Sequence, residues 1–257
     1  MFGMSGVNLL QGKPTTKAVI IGSGFISGHL FNSLAKDGVE VNVFPHEILT
    51  SKATVKSMCD IYKPNLIFNL SAYGNLASQQ DEDEIIKANI LNLQNLLDGS
   101  KHHNYEKLIN FSSSSTLLFY DTYYSATKKA GEVMCRAHAL KYDKPIVSVL
   151  PYTVIGVGEH KEHLIPTLIR SCLKGEKMQF VADPVHDFIG VRDLVEAVRL
   201  IIQDFHLKDS VEIGTGAKIT NDEVRKIVEK LTKKKANIIE VKNMRSYDTD
   251  KWQANTA

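Results

Sequence analysis

The chain has 257 residues, 43% of them hydrophobic and 23% charged, with a formal net charge of +2 at pH 7. This composition is typical of a globular protein with a full core, and the intermixed acids and bases argue against a nucleic-acid-binding surface. Three widely separated cysteines predict neither a disulfide framework nor a zinc knuckle, and no apolar stretch is long enough for a membrane span. We therefore expect a cytoplasmic protein with reduced thiols, in which residues 1–16 form a flexible leader.

Strands and helices alternate through the first two-thirds of the chain. Apolar runs predict strands at 18–21, 39–44, 66–70, 107–111 and 146–150, and helical periodicity predicts helices at 25–36, 51–62, 83–98 and 123–142. Further on, we predict helices at 164–174, 192–205 and 221–234 and strands at 177–181 and 211–213. This order favours an α/β fold with a doubly wound parallel sheet, the Rossmann arrangement, which binds ligands at the carboxyl ends of its strands.

A glycine-rich turn joins the first predicted strand to the first helix. Glycines allow the backbone to approach a pyrophosphate closely, and the helix start offers free N–H groups and a positive dipole. Such a turn also occurs where no ligand binds, so on its own it is a weak signal. We predict a dinucleotide-binding site here, formed by Gly22, Ser23, Gly24, Phe25 and Ile26.

Tyr124 and Lys128 are four residues apart near the start of the predicted helix at 123–142. Residues at this spacing share a helix face, so we expect the ammonium beside the phenol. An unperturbed tyrosine has a pKa of about 10, and a neighbouring cation favours the phenolate and lowers the pKa. The pair is therefore a candidate acid/base centre that exchanges a proton with a substrate.

These segments resemble the extended short-chain dehydrogenase/reductase family, of the NAD-dependent epimerase/dehydratase type that modifies sugar nucleotides. Residues 22–26 are similar to its G-x-G-F-I turn, Tyr124 and Lys128 have its Y-x-x-x-K spacing, and the segment 111–117 resembles its F-S-S-S-A-T-V. The resemblance covers roughly residues 17–230. It implies a catalytic set of serine, tyrosine and lysine, in which the serine hydrogen-bonds the reacting oxygen. That set is Ser114, Tyr124 and Lys128, with Ser115 and Thr116 as alternatives to Ser114.

The resemblance also implies cofactor and substrate contacts elsewhere in the chain. In the family, main-chain atoms at the end of one strand pass along the cofactor, and an asparagine of the next helix braces the active site. The further cofactor positions carried over are His46, Leu70, Ser71, Ala72, Asn89, Ser112, Tyr124, Lys128, Pro151 and Val154. Thr153 and His186 take substrate-facing positions where the family has asparagine and arginine.

The choice between NAD and NADP depends on the end of the second strand. NAD-preferring members carry a carboxylate there that binds the ribose hydroxyls. This chain has Pro45 at that position, with His46 and Lys52 nearby, and Glu47 supplies a carboxylate if the turn is displaced. We expect NADP or NAD, with NADP slightly favoured. The predicted domains are a dinucleotide-binding core at 17–155, followed by mixed core elements and a small substrate-binding lobe at 156–257.

Two functions of different classes follow. We favour an NAD(P)-dependent oxidoreductase or epimerase that acts on a nucleotide-linked sugar by 4-keto reduction or epimerisation. Dehydration is disfavoured because Leu117 and Leu118 stand where dehydratases commonly carry an acid pair. The alternative is a dinucleotide-binding subunit or sensor with little or no catalysis, favoured by the short spacing between Ser114 and Tyr124 and by His186.

Two further expectations concern partners and metals. The resemblance implies a homodimer formed through the helices at 83–98 and 123–142, with no nucleic-acid or membrane partner. His160 and His163 have an H-x-x-H spacing, but no further ligand set accompanies them, so we predict no metal site.

Overall fold

The structure is a computed structural model that describes residues 16–117, 122–204, 206–242 and 252–256. A six-stranded sheet forms its centre, and every neighbouring pair of strands is parallel. Its strands are β1 (Lys17–Ile21), β2 (Glu40–Phe44), β3 (Leu66–Asn69), β4 (Lys107–Phe111), β5 (Ile146–Pro151) and β10 (Ser210–Ile213), in the spatial order β10-β5-β4-β3-β1-β2. This arrangement confirms the predicted α/β fold with a doubly wound parallel sheet.

Helices cover both faces of the sheet, so its strands are apolar on both sides. The helices are α1 (Phe25–Lys36), α2 (Lys52–Tyr62), α3 (Glu82–Ile86), α4 (Asn92–Ser100), α5 (Tyr123–Tyr142), α6 (Leu164–Lys174), α7 (Val191–Gln203) and α8 (Asn221–Thr232). Within β1, Ile20 packs in the hydrophobic cluster that contains residues of α1 and α7, whereas Val19 and Ile21 pack with residues of α2, α4 and α5. Alternate side chains of one strand thus supply both halves of the core.

A third hydrophobic cluster lies outside the sheet, between α6 and α8. Leu168 and Cys172 pack there with Val224 and Val228. The remaining short strands are β6 (Thr153–Ile155), β7 (Met178–Phe180), β8 (Val185–His186), β9 (Phe188–Gly190), β11 (Ile219–Thr220) and β12 (Ile238–Glu240), paired as β6 with β9, β7 with β12 and β8 with β11. β6 directly follows β5, and Phe188 of its partner β9 packs against the third cluster.

Sequence patterns located most elements closely. The predicted bounds of α1, α5 and α6 match at both ends, and Thr220 caps α8 in a reciprocal capping box with Glu223. α8 ends at Thr232, two residues before the predicted end, because Lys233 takes a left-handed conformation with φ +56°. The predicted leader at residues 1–16 lies outside the described residues except for Thr16. No helix in the described part of the chain is long and apolar enough to cross a membrane.

The helix predicted at 83–98 is continuous in the structure but differs in two details. A π-helical turn at Lys87–Leu91, which contains Asn89, lies within it between α3 and α4. α4 then runs through Gly99 to Ser100, two residues beyond the predicted end at residue 98. A Cβ on Gly99 would approach the Val55 side chain to 2.6 Å and the Lys52 carbonyl oxygen to 2.7 Å. Gly99 therefore allows close packing of α4 on α2, which the pattern alone cannot distinguish from a helix stop.

Candidate active site

The glycine turn lies between the carboxyl ends of β1 and β3. Gly22 has φ +105°, and its N–H donates to the carbonyl oxygen of Phe44 at the end of β2. A Cβ on Gly22 would lie 3.1 Å from the backbone carbon of Leu70 and 3.1 Å from the nitrogen of Ser71. Glycine is needed here both for the positive φ and for the close approach of the next chain segment.

Gly24, at the N-cap of α1, has different surroundings. Apart from the adjoining chain, no atom of the described residues lies within 4 Å of where its Cβ would be. No described side chain caps the helix start, and its first turn carries no acidic residue. An uncapped helix N-terminus with open space in front of it suits a diphosphate, because free N–H groups and the helix dipole both attract anions. The predicted cofactor residues Ser23 and Gly24 are exposed there, whereas the side chain of Ile26 packs in the core.

The end of β2 carries the groups on which cofactor choice depends. Pro45 follows the strand directly, and the exposed side chains of His46 and Glu47 come next, with 3.6 Å between His46 Nε2 and Glu47 Oε1. An imidazole suits a 2′-phosphate, and a carboxylate suits free ribose hydroxyls. The geometry of this turn is compatible with either dinucleotide.

The first turns of α5 bring Tyr124 and Lys128 to the end of β4. Thr122 caps this helix by accepting a hydrogen bond from the N–H of Ser125. The buried Lys128 ammonium donates to the carbonyl oxygen of Phe111, the last residue of β4. The Tyr124 hydroxyl shares a hydrogen bond with the side chain of Ser113, two residues further along. Both functional groups therefore face the same three-residue segment.

Burial shifts the pKa values of both groups. Burial raises the pKa of the Tyr124 hydroxyl to about 12, against the opposing effect of its hydrogen bond to Ser113. Burial also lowers the pKa of the Lys128 ammonium to about 8. The net shift of the Tyr124 pKa is upward, opposite to the lowering expected from Lys128, because desolvation penalises the charged phenolate. At neutral pH Tyr124 is a neutral phenol, which is the form that donates a proton.

A small polar cavity of about 10 Å³ lies beside Lys128, with room for about one water molecule. Its lining residues are Asn69, Ser71, Ala88, Asn89, Leu93, Asn110, Lys128 and Gly131. Ser71 donates to Asn69, and Asn69 donates to Asn110 across β3 and β4. Because the Ser71 backbone also borders Gly22, the glycine turn adjoins the cavity that Lys128 lines.

Asn89 and Ser112, both predicted to contact the cofactor, have side chains that bond within the protein. Asn89 accepts from the N–H of Tyr73 and donates to the carbonyl oxygen of Tyr73 and to Thr127. Ser112 is buried and donates to Glu132 of α5 at 2.7 Å. The two side chains brace α5 against the ends of β3 and β4. Of the other predicted cofactor positions, Ala72 is exposed and Pro151 and Val154 are half-buried, with Val154 packed against the core.

The predicted substrate residues Thr153, at the start of β6, and His186, at the end of β8, contact each other. Thr153 Oγ1 lies 3.2 Å from His186 Nδ1, and the Thr153 N–H donates to the carbonyl oxygen of Asp187. The His186 ring lies 5.2 Å from the ring of Trp252, centroid to centroid. Trp252 in turn donates from its indole N–H to Ser114 Oγ at 2.8 Å. These contacts bring Ser114 together with the two substrate positions.

Asp187 anchors this side of the site and is fully buried. One carboxylate oxygen accepts from the N–H and hydroxyl of Thr215, and the other accepts from the N–H groups of Gly216 and Ala254. Burial alone would raise the pKa of Asp187, but these hydrogen bonds outweigh it and lower the pKa. A carboxylate with four donors thus ties residues 252–256 to the loop after β10.

Asp187→Asn is expected to destabilise the protein at neutral pH by about 1–3 kcal/mol, because an amide leaves some of these buried donors unsatisfied. A carboxyl with a lowered pKa in the folded protein stabilises it above the ordinary aspartate pKa, and that contribution is lost as pH falls through the folded value. Urea unfolding should therefore show a difference in free energy of unfolding between wild type and Asp187→Asn that becomes smaller below pH about 4. A difference that stays constant down to acid pH would contradict this role.

Trp252, Ser113 and Asp187 were not predicted as functional residues. Asp187 directly follows the predicted substrate residue His186, and Ser113 is one of four consecutive serines. Trp252 is the one tryptophan of the chain, which was an available but unused signal. His160 and His163, the rejected metal ligands, have ring centroids 6.0 Å apart, and His163 pairs with Glu159. Among the described residues no three His, Cys, Asp or Glu side chains converge as a metal requires.

Comparison with known proteins gives both a family and a set of similar folds. The model of the NAD dependent epimerase/dehydratase family matches residues 18–214. GDP-6-deoxy-D-talose 4-dehydrogenase from Aggregatibacter actinomycetemcomitans is 26% identical over 220 residues, which cover 76% of this chain and 72% of that protein.

Two solved structures share the fold at lower identity. The UDP-N-acetylglucosamine 4-epimerase from Methanobrevibacter ruminantium, in complex with UDP-N-acetylmuramic acid, has a TM-score of 0.84 at 18% identity, covering 95% of this chain and 90% of that one. The Thermus thermophilus UDP-glucose 4-epimerase in complex with NAD has a TM-score of 0.79 at 20% identity, covering 87% of this chain and 86% of that one.

Proposed function

This chain belongs to the NAD dependent epimerase/dehydratase family, and on that premise we propose that it is an NAD(P)-dependent oxidoreductase acting at C4 of a nucleotide-linked sugar. We place ketone reduction before epimerisation. The observation that carries the proposal is that Tyr124 and Lys128 both reach the end of β4, and Pro45 at the end of β2 slightly favours NADPH and hence reduction. The names of the related 4-dehydrogenase and of the structurally similar 4-epimerases support C4 as the reacting carbon.

In the proposed reaction the residues of the site handle the proton and the charge. A bound nicotinamide dinucleotide supplies hydride exchange. Ser114 and Tyr124 donate hydrogen bonds to the ketone oxygen, and Tyr124 transfers its proton to that oxygen as the alcohol forms. Lys128 stabilises the phenolate that remains, through its positive charge one helical turn away. The glycine turn holds the cofactor diphosphate, with Gly22 and Gly24 as the close-approach positions.

The direct test is an assay of nicotinamide oxidation with a panel of 4-keto sugar nucleotides. We expect turnover with at least one member of the panel, with NADPH or NADH, and NADPH as the slightly favoured cofactor. If the protein binds the dinucleotide but turns over no sugar nucleotide of the panel, a sensor or regulatory subunit would be favoured instead.

The rate of reduction should depend on the charge of Lys128. Burial lowers the pKa of Lys128 to about 8, so the ammonium loses its proton as pH rises through that value. We expect kcat/KM for ketone reduction to be constant near neutrality and to fall above pH about 8, by up to about tenfold per pH unit. Lys128→Met should be slow at every pH and show no inflection near 8. An alkaline fall that persists unchanged in this variant would assign the titration to another group.

We also propose a homodimer through the helices that the family uses. Val133 and Leu140 lie seven residues apart on one face of α5 and are 60% and 77% exposed, and the nearby Leu91 is 50% exposed. Exposed apolar residues on one face are typical of a subunit interface. Light scattering should give the mass of two chains, and the double variant Val133→Glu with Leu140→Glu should give the mass of one. A monomeric wild type would rule out this proposal.

A further inference from the structure

Trp252 lies beyond the region that the family model covers, which ends at residue 214. Its indole N–H donates to Ser114 Oγ at 2.8 Å, and its ring lies against His186 at 5.2 Å with a tilt of 35°. A residue 138 positions away in sequence thus contacts the serine proposed to bind the reacting oxygen.

The position of Trp252 is fixed by its neighbours in the segment 252–256. The Ala254 N–H donates to the buried carboxylate of Asp187 at 3.0 Å. The side chain of Gln253 donates to the carbonyl oxygen of Gly216, and the carbonyl oxygen of Gln253 accepts from the hydroxyl of Tyr152. Because Ala254 is itself buried, this segment is an integral part of the packed site.

The direction of the hydrogen bond determines what Ser114 can do. An indole N–H is a donor only, so Ser114 must act as the acceptor in this pair. A hydroxyl has one hydrogen to donate, and accepting from Trp252 leaves that hydrogen free. The indole also occupies one lone-pair direction of the oxygen, which restricts where the Ser114 hydrogen points.

Resting on the proposed function, we propose that Trp252 is a positioning residue that holds the Ser114 hydroxyl as a hydrogen-bond donor to the substrate ketone. Its ring lies against that of His186, and an aromatic face of this kind suits the apolar face of a sugar ring bound beside Ser114. Only ten positions separate Ser114 from Tyr124, and Trp252 reaches Ser114 from the other end of the chain.

A double-mutant cycle tests whether Trp252 acts through Ser114. Trp252→Phe retains an aromatic ring beside His186 but lacks the N–H. We expect it to lower kcat by about tenfold with KM changed less than about twofold, the loss typical of one hydrogen bond that orients a catalytic group. In a Ser114→Ala background the same substitution should have no further effect on kcat. Additive losses, or faster turnover in Trp252→Phe because the ring obstructs the substrate, would overturn the proposal.

Fluorescence provides a readout that does not depend on turnover. Because Trp252 is the only tryptophan, selective excitation reports on this residue alone. We expect Ser114→Ala to shift the emission maximum, since the indole N–H loses its acceptor. Ser115→Ala is the matched control, as that buried neighbouring hydroxyl has no partner among the described residues, and its emission should equal wild type.

Equal emission from Ser114→Ala and wild type would refute the contact itself. A wild type without turnover on any sugar nucleotide would instead refute the proposed function, and the two failures are therefore distinguishable.

Discussion

Tyr124→Phe is expected to abolish ketone reduction while dinucleotide binding remains as in wild type. The substitution removes the hydroxyl that we propose as proton donor and keeps the ring that fills the same space. Loss of a positioned general acid typically lowers the rate by about 10²–10⁴-fold. Steady-state kinetics with the best 4-keto sugar nucleotide give the rate, and quenching of protein fluorescence by the dinucleotide gives its affinity.

Tyr123→Phe is the matched control for this substitution. Tyr123 is the adjacent residue on α5, is 48% exposed, and hydrogen-bonds through its hydroxyl to Glu82 on the surface. We expect this variant to retain nearly the full rate. Equal rates for Tyr124→Phe and wild type would remove Tyr124 from the chemistry, and equal losses in both variants would point to a disturbed helix start instead.

The fold was predictable because local patterns and burial agree along the sheet. β1, β3, β4 and β5 are covered on both faces, so each reads as a short continuous apolar run between turn signals. The amphipathic helices between them repeat apolar residues every three to four positions instead. The alternation of strands and helices along the chain then indicates a parallel sheet. Where the prediction failed, the cause was tertiary: Gly99 lies in a helix because α2 packs against it.

The candidate site was predictable only where its residues are close in sequence. Spacing placed Tyr124 and Lys128 on one side of α5, but the pKa of Tyr124 depends on burial by the whole fold, and spacing does not encode that burial. The contact of Trp252 with Ser114 and the bond of Asp187 to Ala254 join segments that are 138 and 67 positions apart. No periodicity or resemblance in the chain specifies such long-range pairs.

Gly24→Thr is expected to weaken dinucleotide binding by between about ten- and a hundredfold with little change in stability. Gly24 has φ −84° and ψ −168°, which a threonine also adopts, and beyond the adjoining chain no described residue has an atom within 4 Å of its Cβ position. Threonine is as good an N-cap residue as glycine, so the start of α1 is not penalised. Its side chain would enter the space proposed for the diphosphate and compete for the helix N–H groups, a steric and polar cost of about 1–3 kcal/mol.

Gly22→Ala separates loss of binding from loss of folding, because the two glycines differ in what surrounds them. Gly22 has φ +105° and its Cβ would meet the backbone of Leu70 and Ser71 at 3.1 Å, so alanine there should lower the free energy of unfolding by about 1–3 kcal/mol. Denaturant unfolding and dinucleotide titration of both variants distinguish the cases. If Gly24→Thr binds the dinucleotide as tightly as wild type, the open space before α1 is not the cofactor site, since an occupied cradle cannot also accommodate a branched side chain.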